Sequence, residues 1–264
     1  MNKGTLIIAG GAIKQSNDII LGEFISIVGY GKICVIATAS TDPEDSFDYI
    51  KQQLLSLGVE LSRIVLLPIS GVMEKEGWAS HASADHLKYL EGVKGVWFTG
   101  GDQLEIVKSF VEEGSSDSPC LEKIREIYKN GGVIGGTSAG AAIMSDPMIA
   151  RGGDKGALLF PIETDIESYD DTHVEGDEVE PMLIVKGLGF MEDVIVDQHF
   201  DKRPRLQRLI KSLQFSNLNL GYGISEDTAL IVTQDSRRVI GSSYVTEVRI
   251  TSSCEVAIRY IMGD

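Results

Sequence analysis

Ser138 lies among residues with almost no side chain, in the stretch GGTSAGAAIM at 135–144. The segment from Gly136 to Gly140 matches the pattern G-x-S-x-G; it follows a strand-like run, VIGG, and precedes a helix-forming run, AGAAIM. In a nucleophile elbow this pattern holds a serine on a strained strand-to-helix turn. A plain turn packed against a helix would use small residues too, but the flanking strand and helix favour the nucleophile. We therefore expect Ser138 to attack a carbonyl and the Ala139 amide to stabilise the oxyanion.

A second glycine turn could supply another oxyanion donor. The sequence FTGGDQ at 98–103 ends an apolar run. The bare amides at the tip of this turn, including that of Gly101, could point at the same oxygen as the Ala139 amide. A simple strand-to-helix turn explains the local pattern equally well, so both interpretations stay open.

A serine hydroxyl needs a base, and His199 is the best placed histidine. It follows DVIVD, so we expect it at the carboxyl end of a buried strand, at the same edge as Ser138. Glu226 closes the apolar run LGYGI and is predicted to orient the imidazole. A carboxylate neighbour should raise the pKa of this histidine above its ordinary value of about 6.5. The other histidines lie in a polar helical stretch or in an acidic segment: His81, His86 and His173.

The first 150 residues alternate apolar runs with amphipathic stretches. Strands that are apolar throughout and alternate with helices indicate a parallel sheet covered on both faces, with its site at the carboxyl ends of the strands. We therefore predict an α/β fold, a three-layer sandwich around a mostly parallel sheet. The predicted strands are TLIIAGG, KICVIATAS, RIVLLPIS, GVWFTGG and GGVIGGTS, and the predicted helices are DPEDSFDYIKQQLLSLG, SHASADHLKYLEG and CLEKIREIYKNGG.

The segment 151–181 changes character, because it carries ten acidic and two basic residues. Such a segment can bury little apolar surface, so we expect an exposed, mobile loop inserted into a single domain of residues 1–264. After it we predict a strand, DVIVDQ, a basic helix, KRPRLQRLIKSLQ, and a β-rich C-terminal part from residue 219.

Composition limits the possible partners. The formal net charge of −15 argues against binding to nucleic acid, whose phosphates would be repelled. No apolar stretch is long enough for a membrane span, and the N-terminus does not have the pattern of a signal peptide. The three cysteines, Cys34, Cys120 and Cys254, are far apart, which favours a reduced, cytoplasmic protein. No His/Cys cluster has metal-ligand spacing, so we predict no metal.

Four motifs together resemble the cyanophycinases, which belong to the same serine peptidase group as the α-aspartyl dipeptidases. These motifs are GGTSAGAAIM, FTGGDQ, DQHFDKRPRLQRL and GISEDTA; they occur in the family's order and span most of the chain. The most specific is the sequence DQHF followed by Arg203, Arg205 and Arg208, a spacing that the α-aspartyl dipeptidases lack.

The resemblance implies a function and a set of site residues. It implies hydrolysis of cyanophycin, a poly-aspartate whose side chains carry arginine, to β-Asp-Arg dipeptides by a serine mechanism without a cofactor, in a homodimer. It places the nucleophile at Ser138, the base at His199 and the third member at Glu226. The positions that surround the substrate in the family correspond to Gln103, Asp197, Gln198, Arg203, Arg205 and Arg208.

Physical chemistry supports a role for these arginines and leaves alternatives. A guanidinium group can hold a substrate carboxylate through two hydrogen bonds, although KRPRLQRLIK would also suit a solvated basic helix. The segment 151–181 is longer and more acidic than the family pattern. A related peptidase that cleaves small β-aspartyl or α-aspartyl peptides is therefore an alternative, as is a non-catalytic binding protein. A nucleotide-binding module is disfavoured, because LIIAGGAI lacks the spacing of a phosphate-binding loop.

Overall fold

The computed structural model describes residues 3–112, 114–167, 179–252 and 255–263. Its helices are α1 Asn17–Val28, α2 Pro43–Ser56, α3 Gln103–Phe110, α4 Pro119–Lys129, α5 Ala139–Ala142, α6 Asp154–Leu159 and α7 Leu206–Phe215, with 3₁₀ helices at Leu61–Arg63 and Ala84–Leu90. Its strands are β1 Thr5–Ala9, β2 Lys32–Ile36, β3 Ile64–Leu66, β4 Val93–Phe98, β5 Val133–Thr137, β6 Met148–Arg151, β7 Leu183–Val185, β8 Ile195–Asp197, β9 Leu220–Ile224, β10 Thr228–Val232, β11 Arg237–Gly241, β12 Tyr244–Ser252 and β13 Glu255–Met262.

The central sheet has seven strands in the order β11-β10-β1-β5-β4-β2-β3. The five strands from β1 to β3 in this order are parallel, and β10 and β11 are antiparallel additions at one side. The register pairs Ala9 with Thr137 and Phe98 with Gly136, so the carboxyl ends of β1, β5 and β4 meet at one edge. This edge carries the two glycine turns found in the sequence.

Helices cover both faces of this sheet, which confirms the predicted α/β class. Successive residues of a strand point to opposite faces. Accordingly, Leu6 and Ile8 belong to one apolar core, while Ile7 packs in another with residues of α1 and α2. A fully apolar strand sequence is what burial on both faces requires.

Two helices begin at residues whose side chains cap them. The Asp42 side chain accepts a hydrogen bond from the Asp45 amide at the start of α2, and Ser118 does the same for Leu121 at the start of α4. A proline follows each cap, where its missing N–H costs nothing. The 84–90 stretch differs from prediction, because it forms a 3₁₀ helix instead of an α-helix.

A second sheet of four strands, ordered β13-β12-β9-β8, forms the β-rich C-terminal part. Strand β8 lies in this sheet and pairs parallel with β9, with Asp197 opposite Gly223. We expected β8 to end at the edge of the central sheet, so the structure differs from that expectation. Residues that follow β8 and β9 therefore approach Ser138 from a separate sheet.

The described part of the acidic segment 151–181 is not the wholly exposed loop that we expected. Residues 154–159 form α6, and Ala157 packs in a third apolar core with residues of α7, against which Ile162 also packs. Glu180 is also buried. Burial of these apolar side chains, which the count of acidic residues did not reveal, packs this part of the segment on the core. Residues 168–178 of the segment lie outside the described residues.

None of the helices in the described ranges is long and apolar enough to cross a membrane. Cys34 and Cys120 are both buried free thiols in these ranges, and Cys254 lies outside them.

Candidate active site

Ser138 occupies a strained turn between β5 and α5. Its φ of 54° and ψ of −112° place a non-glycine residue in a sparsely populated region of backbone space. The Ser138 amide donates a hydrogen bond of 3.1 Å to the Ala9 carbonyl oxygen, which ties the turn to the end of β1. Strain of this kind costs about 1–3 kcal/mol and persists where the surrounding structure enforces it.

Close packing explains the small residues beside this serine. A Cβ atom on Gly136 would lie 2.3 Å from the Gly140 carbonyl oxygen, and one on Gly140 would lie 2.4 Å from the Phe98 carbonyl oxygen. Both distances are far below van der Waals contact. The strand, the turn and the helix can therefore approach only if both positions are glycine.

Three side chains form a continuous hydrogen-bonded line. Ser138 Oγ lies 2.9 Å from His199 Nε2, and His199 Nδ1 lies 2.6 Å from Glu226 Oε1. The central sheet supplies the serine, whereas the histidine follows β8 and the glutamate follows β9 of the second sheet. The site is thus assembled where the ends of two sheets meet.

The backbone around His199 and Glu226 is fixed by further hydrogen bonds. The His199 amide donates to the Gly10 carbonyl oxygen at 2.7 Å, and the Glu226 amide donates to Asp201 Oδ1 at 2.8 Å. A Cβ atom on Gly11 would lie 2.3 Å from the His199 ring, so a glycine is needed at that position.

The pKa of His199 lies below its ordinary value, which corrects our expectation of a raised pKa. Burial of the imidazole lowers the pKa most, the hydrogen bond from Nδ1 to Glu226 raises it, and the positive charges of Arg203 and Arg205 lower it. Desolvation disfavours the charged imidazolium, and the sequence did not show how deeply the ring is buried. The histidine is therefore neutral, and able to accept a proton, at neutral pH.

The two predicted oxyanion donors, Ala139 and Gly101, have different surroundings. Ala139 begins α5, where the first amides of a helix have no intrahelical acceptor. In the FTGGDQ turn, the residue beside the serine is Gly100, where an added Cβ would lie 3.2 Å from Ser138 Cβ. A Cβ on Gly101 would instead lie 1.9 Å from the Ala39 carbonyl oxygen. Gly101 therefore has no room for a side chain, and Gly100 lies beside the serine turn.

A cavity of about 630 Å³ opens beside Ser138 and His199. Its lining comes from the turn after β1, the first half of α2, the FTGGDQ turn and the serine turn. The described residues that line it are Ala12, Ile13, Lys14, Asn17, Asp45, Ser46, Tyr49, Ile50, Thr99, Gly100, Thr137, Ser138 and His199.

Asp197, Arg205 and Arg208 form a buried ion cluster. Asp197 Oδ1 lies 3.2 Å from Arg205 Nη1, and Asp197 Oδ2 accepts a hydrogen bond of 2.7 Å from Arg208 Nε. All three are at most 6% exposed. Burial raises the pKa of Asp197, but the two guanidinium groups lower it further, so its net pKa is below the ordinary range. We predicted that these residues surround the substrate; in the structure their charged groups contact one another.

The other three predicted substrate-binding residues have different surroundings. Gln103 is the first residue of α3, and its side-chain amide donates to the Ala150 carbonyl oxygen. Gln198 is buried, and its Oε1 has no hydrogen-bond partner among the described residues. Arg203 is exposed, and its backbone amide donates to the His199 carbonyl oxygen at 3.1 Å. None of the six predicted residues belongs to the lining of the cavity given above.

Asp227, which the sequence patterns did not single out, fixes the loop after β1. Its carboxylate accepts hydrogen bonds from the amides of Lys14, Gln15 and Ser16 at 2.8, 3.1 and 2.9 Å, and its own amide donates to the Gly11 carbonyl oxygen at 3.0 Å. Asp227 directly follows Glu226, so one short turn positions both the carboxylate beside His199 and one side of the cavity. Its place next to Glu226 in GISED was the only available signal.

An α/β fold with a serine, a histidine and a carboxylate in one hydrogen-bonded line is typical of serine-type hydrolases. The chain belongs to peptidase family S51, whose family model matches residues 5–240.

Two curated relatives of this chain are cyanophycinases. The chain is 32% identical over 252 residues to the cyanophycinase of Geminocystis herdmanii, covering 94% of this chain and 81% of the relative. It is 34% identical over 247 residues to the cyanophycinase of Trichormus variabilis, covering 92% and 72%. The chain is therefore a cyanophycinase-like member of the family, as the motifs indicated.

Solved structures support the fold. A peptidase from an acI-B1 actinobacterium superimposes with a TM-score of 0.63 at 21% identity, covering 97% of both chains. A putative peptidase E protein from Listeria monocytogenes gives a TM-score of 0.55 at 17% identity, covering 91% of this chain and 100% of the other.

Proposed function

We propose that this chain is a serine exopeptidase that hydrolyses cyanophycin to β-Asp-Arg dipeptides, with Ser138 as nucleophile, His199 as base and Glu226 as orienting acid. The observation that carries the proposal is the line of hydrogen bonds of 2.9 and 2.6 Å that joins the three side chains at a strained strand-to-helix turn. The names of the curated relatives support the substrate.

The first half of the reaction forms an acyl-enzyme. Ser138 Oγ attacks the carbonyl carbon of the scissile aspartyl bond while His199 Nε2 accepts the hydroxyl proton. Glu226 accepts the Nδ1–H hydrogen bond, which keeps Nε2 free for that proton and stabilises the imidazolium. The amides of Ala139 and of the turn at Gly100 and Gly101 stabilise the oxyanion. Collapse of the intermediate breaks the C–N bond, and His199 gives its proton to the leaving amine.

The second half releases the product by the same groups in reverse. A water molecule gives a proton to His199 Nε2 and attacks the ester carbonyl carbon. The second oxyanion collapses, Ser138 Oγ leaves and takes the proton back, and the free carboxylate departs. Each step moves one proton through one imidazole, and the serine is regenerated.

We propose that the six predicted substrate-binding residues act in two ways, by direct contact with the substrate or by supporting the site. Gln103, Gln198 and Arg203 are proposed to contact it directly, since a guanidinium group such as that of exposed Arg203 can bind a carboxylate. Asp197, Arg205 and Arg208 are proposed to support this side of the site through their ion cluster. A homodimer remains our prediction from the family resemblance, and a cytoplasmic location remains our prediction from the sequence.

A peptidase for small aspartyl peptides is the second candidate, because the chain also shares its fold with a putative peptidase E protein. A substrate panel distinguishes the two: cyanophycin, isoaspartyl dipeptides and aspartyl p-nitroanilide, with kcat/KM measured for each. The proposal predicts the highest kcat/KM on the polymer. Turnover of the small substrates together with an inert polymer would contradict it and favour the second candidate.

A further inference from the structure

The cavity beside Ser138 carries charges that the proposed chemistry does not use. It runs from the serine and histidine to the first half of α2, where Asp45 and Tyr49 line it. Lys14, on the loop that Asp227 fixes, supplies a positive charge to the same lining. Binding pockets place such groups where they can orient a charged ligand.

Asp45 differs from the other acidic residues at this end of α2. Asp42 caps the helix, Glu44 pairs with Lys75 at 2.6 Å, and Asp48 pairs with Lys51. Among the residues that the structure describes, the Asp45 carboxylate has neither an ion-pair partner nor a hydrogen-bond donor. This carboxylate is therefore free to bind a cation that enters the cavity.

Tyr49 lies one helical turn after Asp45, so the two side chains share one face of α2. The tyrosine is 55% exposed, so its ring is accessible to a ligand in the cavity. A carboxylate next to an aromatic ring is a chemical match for a guanidinium group. The carboxylate can accept two parallel hydrogen bonds, and the ring face attracts the planar cation.

We propose that Asp45 and Tyr49 form a subsite that binds an arginine side chain of the substrate. The proposal rests on the proposed function, because it assigns the guanidinium groups of a β-Asp-Arg substrate to this end of the cavity. Lys14 then faces a substrate carboxylate. The subsite selects arginine over neutral or shorter side chains and does not take part in bond cleavage.

The test compares two soluble substrates, an oligomer of β-Asp-Arg units and the same oligomer with citrulline, the neutral isostere of arginine. The variant Asp45→Asn should raise KM for the arginine oligomer about tenfold, the loss of one charge-assisted hydrogen bond, and leave kcat unchanged. KM for the citrulline oligomer should not change. Tyr49→Leu should shift KM in the same direction. The matched control is Asp48→Asn on the same helix, which should behave as wild type.

A binding measurement keeps this test separate from the proposed function. Calorimetry with Ser138→Ala and with the double variant Ser138→Ala, Asp45→Asn measures binding of the arginine oligomer without turnover. Weaker binding by the double variant supports the subsite even if the wild type hydrolyses neither oligomer, a result that would contradict the proposed function alone. Equal binding by both proteins, or equal KM changes for the two oligomers in Asp45→Asn, would overturn the subsite.

Discussion

Four non-glycine residues with unusual backbone conformations lie at the proposed active site. Ser138 and His199 have φ values of 54° and 49°, and Ala12 and Asp227 beside them have 44° and 55°. Each is a non-glycine residue in the left-handed region, which costs free energy. Hydrogen bonds to Ala9, Gly10 and Gly11 hold three of these residues, so the end of β1 acts as the fixed reference for the site.

The lowered pKa of His199 sets the acid limb of activity. Only neutral imidazole can accept the serine proton, so activity rises with pH through this pKa. We expect the acid limb of kcat/KM to have its midpoint below about 6.5, the ordinary value. Glu226 raises the pKa, so Glu226→Gln should move the midpoint to lower pH and reduce kcat. A wild-type midpoint above the ordinary value would contradict the burial argument.

Arg203 should act on the same limb through its charge. It lowers the pKa of His199, so Arg203→Gln should move the midpoint of kcat/KM to higher pH. Added salt should diminish the difference between the two proteins, because it screens an exposed charge. The control is Arg259→Gln, at another exposed arginine, on β13 of the second sheet. An identical midpoint for Arg203→Gln and wild type would show that this charge does not reach the imidazole.

At the scale of elements, the buried ion cluster connects β8 with α7. Arg208 also donates to the Gly152 carbonyl oxygen, before α6, so the cluster joins three segments of the chain. In the solvated basic helix that the sequence also suited, Arg205 would be exposed and would contribute little to stability. Its burial changes that expectation, since removing one partner of a buried pair leaves an uncompensated charge.

Asp197→Asn should therefore destabilise the fold strongly. Two buried guanidinium groups would lose their counter-charge, and we expect the free energy of unfolding to fall by about 3–5 kcal/mol. Urea unfolding at neutral pH measures the change, with the exposed Asp235→Asn as control. A decrease no larger than that of the control would mean that the cluster is not structural.

The central sheet could be predicted from local sequence patterns. Features that depend on pairing between distant segments could not. The start of α2 at Asp42 and the largely apolar strands β1, β4 and β5 could be read directly, because each signal is contained in a few neighbouring residues. The assignment of β8 to a second sheet could not be predicted, because a strand with the sequence DVIVD could be buried in either sheet. The ion pairs of Arg205 and Arg208 were hidden for the same reason: a basic helix sequence does not reveal a buried carboxylate on another strand.

For the molecule as a whole, the net charge of −15 should attract the guanidinium groups that cyanophycin presents. At one end of the acidic segment Arg151 pairs with Asp102 of the FTGGDQ turn, and the Gly153 amide donates to the Glu180 carbonyl oxygen near the other end, so both ends lie beside this turn. We predict that amides in place of Asp170, Asp171, Glu175, Asp177 and Glu178, which lie outside the described residues, raise KM for cyanophycin at low salt. Turnover of a small uncharged substrate serves as control. Equal KM values of the variant and wild type for the polymer at low salt would show that the segment does not attract the polymer.

Mass spectrometry of the products that the purified protein releases from cyanophycin tests the proposed hydrolysis through Ser138 most directly. Wild type should release β-Asp-Arg, and Ser138→Ala should lose on the order of 10⁶ in turnover with an unchanged fold. The matched control is Ser225→Ala, since Ser225 is buried beside Glu226 and its Oγ has no hydrogen-bond partner among the described residues. It should keep the wild-type product and rate. Release of β-Asp-Arg by Ser138→Ala at even a tenth of the wild-type rate, or its absence with wild type, would contradict the account.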